Sequence, residues 1–358
     1  MIDDLDYADL LRLQSEDVEL FETVIRRIYQ AVVEPGDYCV DGGACKGLHT
    51  FALSKIVGPQ GRVFAFEPVA PVANALGAAL CGNGVKNVVL SHKALFNKRA
   101  TVSFKYVRNA PSRSGIVRTS YPYEPDIKEI SVEAVQLDEA LSEVPTLRFC
   151  KLDLEGAEFR ALQGAEGLLR NHAPLVIFER SLDATTWYGY SWDEFFAFFD
   201  GMGCSLFDLF GRRLDRQNAN DAGRPWYAIA AKRASDLTFL ERRLPELLRE
   251  VLDRYRNPIP AWATPPSHEG PFIWAAPNPI PAGEGPGTTF VHWSTGDDSV
   301  GEIYVSVNDT EERLFYKSAK GVRSAPWINP WGTYDFRLYD DSDRSKLLAA
   351  LSVSRRKR

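Results

Sequence analysis

The sequence predicts an α/β fold built on a doubly wound, mainly parallel sheet, followed by a small all-β sandwich. Between residues 38 and 231, short apolar segments alternate with segments of helical periodicity. This alternation implies βαβ units, whose parallel strands are covered by helices on both faces. The first apolar segment runs into a glycine-rich loop, and beyond Pro286 short β-type segments recur between turn signals. At 358 residues, the chain is long enough for two domains.

Seven segments of the α/β region have the composition of buried strands. The predicted strands are Tyr38–Val40, Arg62–Phe66, Asn87–Leu90, Leu147–Leu152, Leu175–Phe178, Ser205–Phe207 and Trp226–Ala231. The predicted helices between them are Gly47–Val57, Pro71–Leu80, Ala157–Leu169 and Trp192–Met202. The segments Thr101–Val107 and Glu129–Val135 interrupt the alternation, and we interpret them as an inserted hairpin with a long loop.

Three further segments set the predicted domain boundaries. Residues 3–34 have helical spacing, so residues 1–234 form a first domain with an N-terminal helical segment. Residues 235–286 connect the domains through a helix over 236–255 and a stretch too rich in proline for a helix or an inner strand. Residues 287–358 form the sandwich. Its predicted strands are Thr288–Trp293, Glu302–Val307, Arg313–Lys317, Thr333–Tyr339 and Leu347–Val353.

The overall composition excludes several classes of protein. A net charge of −6 argues against broad nucleic-acid binding, which requires a basic face. No apolar run approaches the length of a membrane span, and the acidic N-terminus lacks the apolar core of a secretory signal. The five cysteines are odd in number and include no Cys-x-x-Cys pair. This usage favours reduced thiols, so we expect a cytoplasmic protein.

A glycine-rich loop, Asp41-Gly42-Gly43-Ala44-Cys45-Lys46-Gly47, lies between the first predicted strand and helix. Glycine permits a sharp turn and the close approach of a ligand, and amide groups at a helix N-terminus suit an anionic group. The spacing is not that of the dinucleotide fingerprint. Because Asp41 would repel a pyrophosphate and attract a sulfonium, we predict S-adenosylmethionine rather than NAD. The predicted contacts are Asp41, Gly43, Ala44 and Gly47.

The second predicted strand ends in Phe66-Glu67-Pro68. Glu67 lies about 20 residues beyond the loop, the spacing at which an acidic residue in such folds accepts the ribose hydroxyls of a cofactor. We therefore assign Glu67 and Pro68 to cofactor binding. His92, which follows the third predicted strand, is a further candidate, at the border of the adenine.

An acidic string, Lys151-Leu152-Asp153-Leu154-Glu155-Gly156-Ala157-Glu158, sits at the end of the fourth predicted strand. Ligands of open α/β sheets bind outside the carboxyl ends of the strands, where the strand order reverses. If the order reverses between the first and fourth strands, Asp41 and Asp153 flank one crevice. Glu179 ends the fifth predicted strand and reaches the same rim.

These stretches resemble the FkbM-type methyltransferases. The resemblance covers about residues 35–232 and is carried by Val40–Gly47, Phe66–Pro68, Val135–Asp138, Lys151–Glu158 and Ile177–Glu179. It implies a class I, Rossmann-like methyltransferase fold with seven strands, S-adenosylmethionine as methyl donor, and O-methylation of sugars or natural products. Cys45 and His49 depart from the residues that the family often has, and both could alter contacts to the donor.

O-methylation needs a base for the acceptor's proton, in addition to alignment of the oxygen with the methyl group. Our candidate catalytic residues are Asp153, Glu155 and Glu179, because neighbouring carboxylates raise each other's pKa. Alternatively, the same oxygens could hold Mg²⁺ or Mn²⁺, which would acidify the acceptor.

Other functions remain open from the sequence. One is an inactive scaffold or glycan-binding protein with a methyltransferase fold, and a less favoured one is an NAD-dependent oxidoreductase. The expected partner is a small-molecule or glycan acceptor. The C-terminal domain could mediate homo-oligomerisation or recruit a glycan-assembly enzyme.

Overall fold

A computed structural model describes residues 2–16, 19–117, 124–256, 265, 268–283, 286–308, 310–340 and 343–356. The chain divides into two compact units, Met1–Leu252 and Asp253–Arg358. Each unit has its own buried core, and each is described by itself.

The described residues of the first unit form ten strands. They are β1 (Tyr38–Gly42), β2 (Arg62–Phe66), β3 (Val88–Ser91), β4 (Ala94–Leu95), β5 (Ala100–Val107), β6 (Ile127–Val135), β7 (Phe149–Leu152), β8 (Leu175–Glu179), β9 (Ser205–Asp208) and β10 (Tyr227–Ala231). All seven strands predicted for the main sheet are present, with ends displaced by one or two residues.

The helices are α1 (Asp4–Glu16), α2 (Glu19–Val32), α3 (Leu48–Val57), α4 (Ala70–Gly82), α5 (Leu137–Ala140), α6 (Glu158–Gln163), α7 (Glu166–His172), α8 (Ala184–Tyr188), α9 (Trp192–Met202), α10 (Ala234–Thr238) and α11 (Leu244–Arg256). The predicted N-terminal helical segment contains α1 and α2. A π-helical turn over Phe239–Arg243 joins α10 to α11, so the helix predicted over 236–255 is not regular throughout.

Seven strands form one sheet in the order β3-β2-β1-β7-β8-β10-β9. All neighbours are parallel except β10, which runs antiparallel to both β8 and β9. Strands β7 and β8 are almost wholly buried, as expected of strands covered on both faces. This confirms the predicted class I methyltransferase fold. The order reverses between β1 and β7, as the sequence suggested.

The predicted hairpin between β4 and β7 is also confirmed. Strands β5 and β6 pair antiparallel from Ala100↔Ala134 to Val107↔Ile127, and β4 adds a third strand beside β6. This insert has its own small core, which includes Phe104 and Val132. A 3₁₀ turn over Pro111–Arg113 follows β5 and reaches the site described below.

The second unit is the predicted β-sandwich. Its strands are β11 (Phe272–Ala276), β12 (Gly287–Ser294), β13 (Gly301–Val307), β14 (Arg313–Ser318), β15 (Lys320–Ile328), β16 (Tyr334–Asp340) and β17 (Asp343–Val353). They form the sheets β11-β12-β15 and β14-β13-β16-β17. Trp293 and Val291 of one sheet share a core with Phe336 and Leu338 of the other.

Two strands of this unit were not predicted. One is β15, which lies between the strands predicted over Arg313–Lys317 and Thr333–Tyr339. The other, β11, lies inside the stretch interpreted as a proline-rich linker, because Phe272-Ile273-Trp274 is a proline-free apolar run that pairs with β12. Residues 257–264, 266, 267, 284 and 285 of that stretch lie outside the described residues. Among the tryptophans of this unit, Trp293 is buried, whereas Trp327 is 37% and Trp331 78% exposed.

None of the helices in the described ranges is long and apolar enough to cross a membrane.

Candidate functional site

The loop after β1 is held against the ends of β2 and β7. The amides of Gly43 and Ala44 donate to the Phe66 carbonyl at 3.0 Å each, and the Asp153 amide donates to the Gly42 carbonyl at 3.1 Å. Gly43 has φ +77°, and a Cβ there would lie 2.0 Å from the Asp153 carbonyl oxygen. Glycine at this position therefore allows the loop to contact β7 directly.

Ala44 and Gly47 shape this loop rather than line a cavity. Ala44 is buried against Ala65 and Leu76, and its carbonyl accepts from the Gly47 amide at 2.7 Å. Gly47 has φ +84°, and a Cβ there would lie 2.4 Å from Leu76 Cδ1. Both residues therefore stabilise the conformation of the loop, and their contacts to a cofactor stay predictions.

Glu67 turns its carboxylate back toward the loop. Its Oε2 accepts from the Cys45 amide at 3.0 Å and its Oε1 from the Val69 amide at 2.8 Å. Burial raises the pKa of Glu67 to about 7, although the two amide donors oppose the shift. Each carboxylate oxygen has a second lone pair, so Glu67 retains capacity to accept two hydroxyl groups.

A first cavity opens beside this loop. Gly43, Cys45, Glu67 and Pro68 line it, and so does Asp153. The insert contributes a largely apolar wall, formed by Ala94, Leu95, Phe104, Pro111, Ser112, Ser114 and Ile116. His92, predicted at the adenine border, is exposed and does not line the cavity, whereas Lys93 does.

Asp41 differs most from its predicted role. It is 1% exposed and lies behind the loop, where its Oδ2 accepts from the Thr50 hydroxyl at 2.5 Å. It does not line the first cavity, because its side chain points into the protein beneath the loop. Both faces of strand β1 are buried. The sequence pattern therefore could not show whether Asp41 faces the cavity or the protein interior.

Asp153 is held by a cation and a hydroxyl group. Its Oδ2 accepts from Lys151 Nζ at 3.1 Å and from the Tyr227 hydroxyl at 3.0 Å. Burial opposes ionisation of Asp153, but the buried Lys151 ammonium and these hydrogen bonds hold its pKa below the usual range. Asp153 is therefore ionised at neutral pH and is a weak base.

The acidic string and β8 bring three carboxyl groups together. Oxygens of Asp153, Glu158 and Glu179 lie within 4.8 Å of one another, so Glu158, rather than Glu155, completes this cluster. Glu158 is 3% exposed, accepts from the Leu154 and Gly156 amides, and has its pKa raised to about 8 by burial.

This cluster does not fit a Mg²⁺ or Mn²⁺ ion. Such ions are bound by oxygen atoms directed at them, whereas Glu158 Oε1 already accepts from the Leu154 and Gly156 amides. The Lys151 ammonium also occupies the Asp153 oxygen. The mechanism proposed below therefore uses the carboxylates themselves and no metal ion.

A second, open cavity is also lined by Asp153. All three predicted catalytic residues, Asp153, Glu155 and Glu179, line it. Asp153 and Ser112 line both cavities, so the two spaces meet there. The remaining lining residues were not predicted, namely Phe21, Glu22, Arg113, Arg180, Ser181, Leu182, Ala222, Trp226 and Tyr227.

Helix α2 and strand β10 supply several of these unpredicted residues. The carboxylate of Glu22 lies 2.5 Å from Nε2 of the buried His49. His49 does not line the first cavity. It contacts Glu22, which lines the second cavity. Tyr227 is opposite Glu179 in the β10–β8 register. From the sequence, only the pairing of Tyr227 with Glu179 could have indicated that β10 contributes to this cavity. Glu22 is too distant in the chain from the other lining residues for a local pattern to place it there.

Comparison with known proteins gives one match to a family and several weak structural similarities. Residues 41–205 match the methyltransferase FkbM domain, and no curated protein matches the chain. Methyltransferase FkbM from Methylobacillus flagellatus KT is 16% identical, with 57% of this chain and 50% of that chain covered, at a TM-score of 0.36. This chain thus spans about half the length of that protein.

Two other solved structures are similar at the same level. A putative methyltransferase from Streptococcus mutans, in complex with S-adenosylhomocysteine, is 10% identical over 58% of this chain and 96% of that chain, with a TM-score of 0.35. An S-adenosylmethionine-dependent O-methyltransferase from Thermotoga maritima is 14% identical over 59% and 64%, with a TM-score of 0.32. These three similarities are too weak to assign a ligand or an activity to this chain.

The family match covers the segment that builds the first cavity, from Asp41 through the β7 and β8 ends. The match agrees with the observed order of strands. The order of strands alone would not identify the ligand. Residues 41–205 are therefore assigned to the methyltransferase FkbM domain.

Proposed function

We propose that this protein transfers a methyl group from S-adenosylmethionine to a hydroxyl group of a sugar, a glycan or a natural product. The observation that carries the proposal is the meeting of the two cavities at Asp153. A donor bound in the first cavity can present its methyl group there to an acceptor bound in the second. In-line transfer requires this end-to-end arrangement.

The first cavity suits the donor. Glu67 would accept the ribose hydroxyls, Gly43 would allow the donor to lie against the loop, and the apolar wall of the insert would cover the adenine. Asp153, ionised and at the junction, would attract the positively charged sulfonium and amino groups.

Glu179 is our proposed base. The acceptor oxygen attacks the methyl carbon, the carbon–sulfur bond breaks to give S-adenosylhomocysteine, and the hydroxyl proton passes to the Glu179 carboxylate. Asp153 serves this role less well because Lys151 lowers its pKa. Glu155 lines the same cavity and is the next candidate.

The lining of the second cavity supports a polyhydroxylated acceptor. Trp226 is 46% exposed and offers an aromatic face, and Glu22, Glu155 and Glu179 offer acceptors for hydroxyl groups. Aromatic faces with nearby carboxylates suit sugar rings, which have apolar faces and polar edges. This combination favours an enzyme over an inactive scaffold, because a scaffold does not require carboxylates at the cavity junction.

The direct test is methyl transfer to a panel of acceptors. Purified protein would be incubated with S-adenosylmethionine and with nucleotide sugars or oligosaccharides, and S-adenosylhomocysteine and the methylated product would be measured by mass spectrometry. We expect product from hydroxyl-bearing compounds. Binding of NAD in place of S-adenosylhomocysteine, measured by thermal shift, would contradict the proposal.

Donor affinity should depend on pH through Glu67. The ionised carboxylate accepts the ribose hydroxyls, so donor binding favours ionisation and is strongest above the pKa of about 7. We expect the Kd for S-adenosylhomocysteine to rise about tenfold from pH 8 to pH 6, by calorimetry. Glu67→Gln should abolish this dependence. A flat profile in the unmodified protein would remove Glu67 from the donor site.

Truncation after Arg256 should leave donor binding intact, because every residue of the first cavity lies before this point. We expect unchanged affinity for S-adenosylhomocysteine and retained transfer to a minimal acceptor. Transfer to a long glycan should fall if the sandwich recruits a polymer or a partner enzyme. An equal fall on short and long acceptors would mean that the sandwich is purely structural.

The cysteines agree with a cytoplasmic setting for this activity. All five are free thiols, as expected in a reducing compartment. We therefore retain the proposal that the enzyme works in the cytoplasm.

A further inference from the structure

The second cavity is lined by two arginines that form no ion pair with any described residue. Arg180 is 5% exposed and lies directly after Glu179 at the end of β8. Arg113 lies at the end of the 3₁₀ turn in the insert. Both line the cavity, although they come from segments far apart in the sequence.

Arg180 is a buried cation whose guanidinium binds only backbone carbonyls. Its Nη1 donates to the carbonyl of Ala219, and its Nη2 donates to those of Asp221 at 3.2 Å and Pro225 at 3.3 Å. Its Nε is buried and has no acceptor in the described part of the chain. Burial disfavours its charged form and lowers the pKa of Arg180. The charges of Asp208 and Asp221 oppose this shift. Arg180 thus places a largely desolvated cation in the wall of the cavity, with one buried donor unpaired within the described chain.

The carboxylates near Arg180 do not form ion pairs with it. Asp208 is fully buried, but it accepts from the Tyr7 hydroxyl at 2.7 Å and from Arg224 Nη1 at 2.9 Å. Within the cavity, Asp153 is paired with Lys151 and Glu22 with His49. Arg113 has no ion pair or side-chain hydrogen bond to any described residue.

We propose that Arg113 and Arg180 form the binding site for an anionic group of the acceptor, either a carboxylate or a phosphate. Guanidinium groups bind both anions through charge-assisted, often bidentate hydrogen bonds. Because Arg180 and Glu179 line the same cavity, an acceptor held at the arginines has neighbouring hydroxyl groups within reach of the proposed base. This inference deepens the proposed function and rests on it. The preferred acceptor is then an acidic or phosphorylated sugar rather than a neutral one.

The test is calorimetry on the full chain saturated with S-adenosylhomocysteine. Inorganic phosphate, D-glucuronate and D-glucose would be titrated separately, so that the first two distinguish phosphate from carboxylate and glucose is the neutral control. We expect one or both anions to bind and glucose to bind at least about tenfold more weakly. Arg113→Gln should weaken anion binding at least about tenfold, since hydrogen bonds to charged groups are strong.

Matched variants keep this test decisive. Arg99→Gln removes an exposed arginine just before β5 of the insert, 69% exposed and paired with Glu139, and should leave anion binding unchanged. Arg180→Lys retains the charge but loses the fork of donors, and should also weaken anion binding. Equal binding of anions and glucose, no binding of either anion, or an Arg113→Gln protein that binds like the unmodified one would overturn the inference.

Failure of this inference is distinguishable from failure of the proposed function. Anion binding that depends on Arg113, without methyl transfer to any hydroxyl compound, would leave the anion site in place and reject O-methylation. Methyl transfer to neutral sugars at the same rate as to acidic or phosphorylated ones would retain O-methylation and reject the anion site.

Discussion

Glu179→Gln is expected to lower turnover by about a hundredfold to ten-thousandfold, the usual effect of removing a general base. Affinity for S-adenosylhomocysteine should be unchanged, because Glu179 does not line the first cavity. Glutamine has the shape of glutamate but does not take up a proton at neutral pH, so the loss would report the chemistry rather than the fold. Single-turnover rates and calorimetry measure the two quantities separately.

Two controls accompany this variant. Glu166→Gln changes a half-exposed glutamate of α7 that pairs only with Arg170, and should leave turnover unchanged. EDTA should also leave the rate unchanged, because Asp153, Glu158 and Glu179 do not fit a divalent ion. Full turnover in Glu179→Gln would transfer the role of base to Glu155. Loss of activity with EDTA, restored by Mg²⁺ or Mn²⁺, would show instead that the carboxylates act through a metal.

Glu67→Ala is expected to lower affinity for S-adenosylhomocysteine about a hundredfold or more. The variant loses two hydrogen bonds from ribose hydroxyls to a charged acceptor, each worth roughly 1.5–3 kcal/mol. Calorimetry near pH 8, where Glu67 is ionised, measures this effect at its largest.

The same substitution leaves the Cys45 and Val69 amides without their acceptor. We therefore expect a loss of about 1–3 kcal/mol in the free energy of unfolding, measured by denaturation without ligand. Glu67→Gln, which can still accept from one amide, separates this local effect from loss of donor contacts. Glu139→Ala is the surface control, since Glu139 pairs only with Arg99. Unchanged donor affinity in a folded Glu67→Ala protein would contradict the assignment.

The sequence by itself determined the order of helices and strands in the catalytic unit. Buried parallel strands are continuous apolar runs bounded by glycine, proline or acidic residues, and that signal is local. The same local chemistry placed Gly43, Glu67, Asp153 and Glu179 at strand ends. The carboxyl ends of parallel strands meet at one edge of a sheet. The proximity of these four residues could therefore be predicted from the sequence.

Tertiary structure alone decided which way the buried side chains face. Asp41 and Glu67 both end strands next to the loop, yet Asp41 points beneath it to Thr50 while Glu67 lines the first cavity. His92 was expected at the donor but is exposed. The orientation of these side chains depends on packing against the covering helices and the insert. These elements are distant in the chain, so a local sequence pattern does not reveal the packing.

Tertiary structure also decided the composition of the second cavity. Glu22, Arg113 and Tyr227 reach it from helix α2, the insert and strand β10, which are far apart in the chain. The pKa of Asp153 shows the consequence. Neighbouring acids were expected to raise it, but Lys151 and Tyr227 lower it, because a cation in direct contact outweighs carboxylates a few ångströms further away. Local patterns in the sequence place groups at the edge of the sheet, whereas contacts between distant segments determine their charge and hence their chemistry.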